Sequence, residues 1–525
     1  MRRGIIICAM LAGGFSVSAQ SIWSQGYVTG GLESNSIYYV NDPTGGSIRP
    51  EGSFGSNNYV KVDFGVGLIE GGLQMEGYFP QLLGYPEQLK GFSLSNKYIR
   101  FRDKGFTATV GDFYDQYGSG LLFRAYEERS LGLNTSLEGV NLGYNWDGKI
   151  SLRAMVGFPK AFKEYNFNSR IIGADLSMNL MELAGHGDLF NLSLEGSFLN
   201  KHQALESEWM EGLISPDVNG ASGRIIFDWN GLTLKGEYVA RNSDVSVYNN
   251  YDTQKSRAVL AEGSYTRGGL GVNLTFRQII NAGFQSDYNQ GTMYTALNYI
   301  PALTQQHTYA LAALNPYQTQ MSGEIGGQAD VYYFFSRGTK IGGNRGMRVH
   351  ANFSTFYGPS PAPEIKPDEL YFRDLTVDGE RWWGKHVKTV VLYTWQTYNN
   401  RVGAHPSYEF RRSHTIVADV TYKINNKHAV RAEYQHLWSG QGDGNWCAGT
   451  LEYTISPGWS FSASDMWNYG YTRTHYFNGG LSYSHSRIRA ALNFGRFREG
   501  YQCAGGVCRL IPAYTGANFT LTTSF

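Results

Sequence analysis

Charged side chains recur at alternating positions along this 525-residue chain, and Glu76, Arg100, Arg102, Arg348, Asp419, Arg431 and Glu433 mostly sit between apolar neighbours. Acidic and basic residues facing each other across an aqueous passage would set a transverse field that orients polar solutes. The same residues could instead form a lattice of ion pairs that holds a wide wall in shape. A second cluster, Arg124, Glu127, Glu128 and Arg129, lies in a long connecting segment and is placed to pin that segment to the wall, or else is a solvated charge cluster. Cys503 and Cys508 are five apart in another connection, with a flexible Ala-Gly-Gly-Val between them. In an exported chain the default for such a pair is a local disulfide rather than a two-thiol metal site. Cys447 is left as an unpaired strand residue.

Catalysis has little support. No HExxH, GxSxG or P-loop pattern is present, and His350, His414, His428 and His436 stand singly on or beside alternating runs. The expectation is a protein that is not an enzyme, with no cofactor and no metal. The formal net charge of +1 gives nucleic-acid binding no electrostatic basis.

The elements that carry these residues alternate with period two. Val62, Phe64, Val66 and Leu68 oppose Lys61, Asp63, Gly65 and Gly67; Met347, Val349, Ala351 and Phe353 oppose Arg348, His350, Asn352 and Ser354. Ile416, Ala418, Val420 and Tyr422 oppose Thr415, Asp419 and Thr421. Such runs are strands with one apolar and one polar face. Tight breaks (Asp147-Gly148, Asn230-Gly231, Pro457-Gly458) read as hairpin turns. They alternate with long polar connections at about residues 36–58, 80–92, 115–135, 200–220, 242–255, 282–321, 399–412 and 498–514. Sorting of short turns and long loops to opposite ends is what a membrane barrel requires.

Composition agrees. The chain holds 37 Tyr, 29 Phe, 11 Trp and 65 Gly, only 17% charged residues, and no apolar run long enough for a helical span. Its mean hydropathy of −0.34 fits strands that are apolar on one face only. Trp146, Trp229, Trp382, Trp383, Trp438, Trp446, Trp459 and Trp467 fall near strand ends, as a headgroup girdle would. The alternative is that they cap apolar cores.

Residues 1–19, with Arg2 and Arg3 before an apolar run and a small-residue site at Val17-Ser18-Ala19, read as a secretory signal peptide. Residues 20–525 then form a single all-β domain. It is expected to be a transmembrane antiparallel up-and-down β-barrel of roughly 24 strands (about 22–26), long extracellular loops folding partly over or into the lumen. The count turns on one doubtful strand, residues 370–379. A barrel so wide would leak unless filled. Segments 115–135 and 282–321 are too apolar for free loops and are the candidates to fold inward; the second is expected to be partly helical. The alternative keeps them on the surface.

The last residues, with Phe519, Leu521 and the terminal Phe525 on one face, resemble the closing strand and assembly signal of bacterial outer-membrane barrels. Three segments, residues 111–129, 301–317 and 496–509, make the chain similar to an uncharacterised outer-membrane barrel family of the Bacteroidota. That resemblance implies fold and location in the outer membrane, and brings no activity, ligand or site residue. The expected partners are outer-membrane lipid, the barrel-assembly machinery and a small polar solute. The leading expectation is a restricted channel; the others are a scaffold barrel of a surface secretion or assembly complex, and a receptor or adhesin displaying long loops.

Overall fold

The computed structural model describes residues 26–47, 49–205, 214–359, 369–399, 402, 410–442 and 444–525. The segment read as a signal peptide, 1–19, lies outside the described residues, as does most of connection 399–412.

Twenty-four long strands, each antiparallel to its chain neighbours, form one closed sheet, with the two-residue strand Glu164–Tyr165 appended. Closure joins the first long strand, Gly26–Val40, to the last, Tyr514–Ser524, in a continuous register from Gly31↔Ser524 to Val40↔Thr515. Phe525 completes the seam by exchanging backbone hydrogen bonds with Gly30, 3.1 and 3.0 Å. Closing the sheet removes both edges, so every strand satisfies its backbone groups internally, the condition for crossing lipid.

The doubtful stretch is a full strand, Leu370–Trp383, paired on both sides. The first strand extends to Val40, beyond the alternating stretch near its start, because Tyr38 and Val40 keep facing outward while Ile37 and Tyr39 pack inside.

One rim carries turns of two to four residues, as between Val66 and Ile69, Asp103 and Phe106, or Lys423 and His428. At Asn230-Gly231 both residues have positive φ (47° and 82°), the geometry that matches strand twist in a two-residue hairpin. The sorting is not strict: residues 180–190, which include the helix Leu180–Leu183, and 336–346 are longer connections on this rim. The opposite rim carries the long connections.

The outer surface is an apolar band, with Ile99, Val110, Phe198, Ile225, Leu274, Val391, Leu451 and Leu492 all exposed. Trp146, Trp229, Trp383 and Trp459 lie near the short-turn rim, Trp438 and Trp467 near the long-loop rim, all exposed. Trp382 and Trp446 do not belong to these girdles. Trp382 shares the inward face of Asp378 and Glu380, with Lys423 over its ring; Trp446 is 5% exposed and packs inside against Leu311 and Leu314.

Candidate functional site

The lumen is occupied by the chain's own loops. Residues 114–136, between the strands Phe106–Phe113 and Leu137–Trp146, turn inward as two small hairpins, Gln116–Tyr117 on Phe123–Arg124 and Glu127–Glu128 on Leu133–Asn134. Tyr117, Leu121, Leu122 and Phe123 are each at most 4% exposed and pack on inward wall residues including Met155, Ile171, Leu199, Val218 and Ile279. The tip reaches deeper. Arg153 binds Asp115 and donates to the Gln116 carbonyl (2.9 Å), and Ser119 N–H donates to Glu237 (3.1 Å). Gly118 has φ +55° and would place a Cβ 2.5 Å from Arg224 Cδ, so only glycine fits this bend. Arg153, Asp175, Glu195 and Arg224 stand within five residues of the short-turn ends of their strands, so the loop penetrates the lumen rather than roofing it.

Wall glycines form notches for this plug. A Cβ at Gly173 would lie 2.5 Å from Tyr117 Oη, and one at Gly220 would lie 2.7 Å from Leu122 Cδ1. Burial raises the Asp115 carboxyl above its ordinary range, against the opposing pull of Arg153 and Asn141.

The second inward loop, residues 281–322, spans a wide arc of wall. Fully buried Arg277 donates to the Pro301 carbonyl (2.6 Å) while paired with Glu324 (2.7 Å). His307 meets Asp374 (2.7 Å), Tyr309 Oη donates to Asp419 (3.1 Å), and Leu311 N–H donates to Gln435 (2.9 Å). Leu311 and Leu314 pack on Leu437, Trp446 and Ala448. Tyr317 stacks between Phe356 and Phe372, both centroids 5.1 Å away. This loop holds the short 3-10 turn Met293–Thr295, a β-bridge between Gln285 and Ala296, and a single turn closed by Ala313 N–H on the Tyr309 carbonyl (3.0 Å). In place of the helix expected here, the stretch is extended along the wall, with its groups anchored to successive strands of one arc.

The two loops are joined. Arg124 N–H donates to the Leu297 carbonyl and Tyr299 N–H to the Gly120 carbonyl, both 2.9 Å, and Tyr294 Oη donates to the Leu131 carbonyl (3.1 Å). The hairpin Gly500–Ala504 and Val507–Ile511, cross-linked by the Cys503–Cys508 disulfide, lies against them: Tyr299 Oη donates to the Gly505 carbonyl, and Arg509 donates to the Ser130 carbonyl (3.2 Å).

The residues singled out by sequence divide by position. Glu76 accepts from Gln74 (3.2 Å), which also bonds Glu127, while Arg129 reaches Glu33 (3.1 Å) and Gln74 (3.0 Å). Burial works against the Arg129 charge, but Glu127 and Glu33 outweigh it and hold the guanidinium above its usual range. Arg124 and Glu128 do not pin the loop to the wall. Arg124 lies between the rings of Tyr126 (4.3 Å) and Tyr299 (4.0 Å), and Glu128 accepts from neighbouring Ser130. Asp419 takes a bidentate contact from Arg431, which also meets Glu433, and this group receives the second loop through Tyr309. Arg100, Arg102 and Arg348 remain near the short-turn mouth, paired with Glu70 or with Asp378 and Glu380. Wall charges thus pair along the wall, Arg153 with Asp175 on the adjacent strand and Arg224 with Asp175 across one intervening strand, the pattern of a lattice rather than of opposed walls.

Sequence reading missed the inward apolar patch and the notches. Its trace was a slip in alternation: Ile171-Ile172, Phe198-Leu199, Ile279-Ile280 and Leu437-Trp438 place apolar residues on both faces where the inner face meets plug instead of water.

A closed antiparallel barrel with an apolar outer band and a polar wall filled by its own loops is the outer-membrane barrel class. Within that class the chain belongs to DUF6029, a family of unknown function, which it matches over residues 1–525. No curated protein matches it. Among solved structures it is similar to an E. coli P pilus tip assembly intermediate, PapC-PapD-PapK-PapG (TM-score 0.52, 11% identity, 97% of this chain and 62% of that chain). It is also similar to the P pilus usher PapC translocation pore (TM-score 0.48, 10% identity, 95% and 99%) and to OccK3 of Pseudomonas aeruginosa (TM-score 0.34, 12% identity, 95% of each chain). At these identities the likeness is one of fold.

Proposed function

We propose that this protein resides in the outer membrane of a Gram-negative bacterium and passes small polar solutes through a lumen that its own extracellular loops close at rest. The observation that carries this reading is how the plug is held. It is built wholly from loops, anchored at both ends on the long-loop rim. It docks through hydrogen bonds and ion pairs to polar wall residues, contacts that water can replace, and through limited apolar patches around Leu122 and Leu311. Below Arg129 a vestibule of about 600 Å³, whose lining includes Thr29, Glu33, Lys61 and Asp63 beside Leu32 and Phe525, opens toward the short-turn mouth and supplies the lower half of a route. In this reading the chain needs no cofactor and does no catalysis. Residues 1–19 direct export, the outer band meets lipid, and Phe519, Leu521 and Phe525 on the closing strand are read by the barrel-assembly machinery.

The test is single-channel conductance of purified protein in a planar bilayer, beside a variant lacking residues 290–316. Discrete steps in the wild type and larger ones in the deletion support a restricted channel. A silent wild type with a conducting deletion makes the plug a gate that needs a trigger. Silence from both removes the channel reading and turns attention to protein partners.

A further inference from the structure

The short-turn rim is unevenly charged. Three neighbouring connections on it, residues 336–346, 384–386 and 424–427, hold Arg337, Lys340, Arg345, Lys385 and Lys427 and no aspartate or glutamate. All five are exposed. Arg381 and Lys423 add two more cations at the adjoining strand ends. Elsewhere on the same rim, connections 104–105, 147–149 and 180–190 set Lys104 and Lys149 against Asp147, Glu182 and Asp188. The whole chain carries a formal net charge of only +1, so the excess is one of position.

The cations are gathered rather than neutralised. Arg345 and Lys423 share one indole, that of Trp382, at 5.5 and 4.6 Å, and Arg381 lies over Trp383 at 4.1 Å. None of the seven forms an ion pair among the described residues, and Glu380 on the same arc is taken by Lys388 (3.1 Å) and Arg348 (4.0 Å). Massed like charge repels itself and attracts anions. Connection 336–346 is longer than a hairpin needs and is fixed by its own bonds. Gly338 N–H donates to the Gly343 carbonyl (2.7 Å), Gly343 N–H to the Thr339 carbonyl (2.8 Å) and Gly342 N–H to Thr339 Oγ1 (2.9 Å). It presents Ile341, 49% exposed, between Lys340 and Arg345, and the third connection presents Ile424, also exposed.

Three kinds of anion could meet such a patch. Lipid headgroups surround a barrel evenly, and the rim tryptophans follow that evenness, Trp146 and Trp229 standing elsewhere on the rim and Trp383 here. The cations do not; they crowd six strands of the wall, from Gly323–Phe335 to His428–Ser439. A small anion in transit would need the charge to continue inward, yet Lys388 and Arg348 are already paired there. A protein partner is local, and it uses both the charge and the exposed isoleucines. Six strands side by side measure about 25–30 Å, enough for the roughly 800 Å² per partner of a standard interface.

We infer that this arc of the rim docks a protein through an acidic surface, carboxylates meeting the cations and an apolar side chain meeting Ile341. Short turns of an outer-membrane barrel face the periplasm, which makes the partner periplasmic. The partner's compartment rests on the location proposed above; the docking does not.

The test is fluorescence anisotropy on the full chain in phosphatidylcholine nanodiscs. The probes are a labelled glutamate peptide with leucine at every fourth position, polyglutamate of equal charge, and a heparin oligosaccharide. The leucine-bearing peptide should bind, and Arg337→Gln, Lys340→Gln and Arg345→Gln together should weaken it about tenfold or more. Lys385→Gln with Lys427→Gln should weaken it as well and carries the test if the triple variant loses the heat-modifiable gel shift. Lys104→Gln with Lys149→Gln, on the balanced part of the rim, should change nothing. Ile341→Ser should weaken the leucine-bearing peptide and leave polyglutamate as it was. Equal effects from both parts of the rim, or heparin matching the peptide with Ile341→Ser silent, would overturn the inference. So would phosphatidylglycerol retention that follows these cations while the peptide ignores them, which would give the patch to lipid headgroups. No current is measured, so failure here and failure of the channel reading are separate results.

Discussion

Leu122→Ala tests whether the first inward loop is a docked plug. Leu122 is wholly buried, within a cluster that includes Leu121, Phe123 and Ile300, and its Cδ1 approaches the Gly220 notch of the wall. Removing three carbons from such a site costs about 2–5 kcal/mol, the larger values applying where the surroundings cannot collapse. Strands held by a closed ladder cannot collapse onto the gap. Part of the loss falls on contacts inside the loop, so about 3 kcal/mol is assigned to docking. That is roughly a hundredfold in the docked-to-undocked ratio. The barrel keeps every interstrand hydrogen bond, so the loss should appear in the plug equilibrium and not in unfolding of the wall. Two readouts check this: the open-time fraction in a planar bilayer, and the rate at which an impermeant maleimide labels Ser119→Cys. Both should rise by one to two orders of magnitude over Leu189→Ala, a control at a side chain 65% exposed on the other rim. If Leu122→Ala matches that control in both assays, the loop is not held by this packing and the docking argument fails.

Gly173→Val should unseat Tyr117 from the wall side and raise leak, while Gly223→Val, with nothing within 4 Å of its Cβ position, should leave the current unchanged. Arg129→Ala strips Glu33 and Glu127 of their shared cation; charged hydrogen bonds of this kind are worth about 1.5–3 kcal/mol, and the effect should shrink as salt screens the remaining carboxylates. Cys503→Ser with Cys508→Ser removes a short-loop cross-link worth about 2 kcal/mol by chain entropy, and should loosen the hairpin without changing the barrel's heat-modifiable gel shift. Burial would raise the Asp42 carboxyl, but Arg496 and Thr515 outweigh it and hold the group below its ordinary 3.8. Its share of stability is therefore complete above about pH 3.8 and is lost as pH falls through the lower folded value, so Asp42→Asn should flatten the acid limb of a thermal-melt series.

The strands were legible because lipid outside and polar groups inside impose period two on each one, and because turn residues such as Asn230-Gly231 admit little else. Strand 370–383 was doubtful because the prolines before it mimic a long connection, although Phe372, Asp374, Thr376 and Asp378 alternate as a wall requires. The inward course of segments 115–135 and 282–321 was signalled by apolar residues that no solvated loop would carry. Their partners were not legible, since Gly173 and Gly220 become notches only once Tyr117 and Leu122 stand opposite them across more than fifty residues of chain. Trp446 and Trp382 misled for a related reason: a tryptophan near a strand end reads as girdle unless its parity is counted from the charged face.

The contacts make the two inward loops unequal. The first rests on Arg153, Glu237 and Glu33, and shares Leu297, Asn298 and Tyr299 with the second. The second keeps separate anchors on Asp374, Asp419 and Gln435, along a different arc of the wall. Loss of the shared backbone bonds therefore weakens the first loop without freeing it, because its apolar patch and its buried ion pairs remain. A chain lacking residues 290–316 should clear the arc of Asp419 and Gln435 and leave the arc of Arg153 and Arg224 still filled. Its conductance then reflects a half-cleared lumen, and full width requires release of Leu122 and Tyr117 as well. Two loops that hold each other but stand on different strands can open in sequence, which a single rigid stopper cannot do.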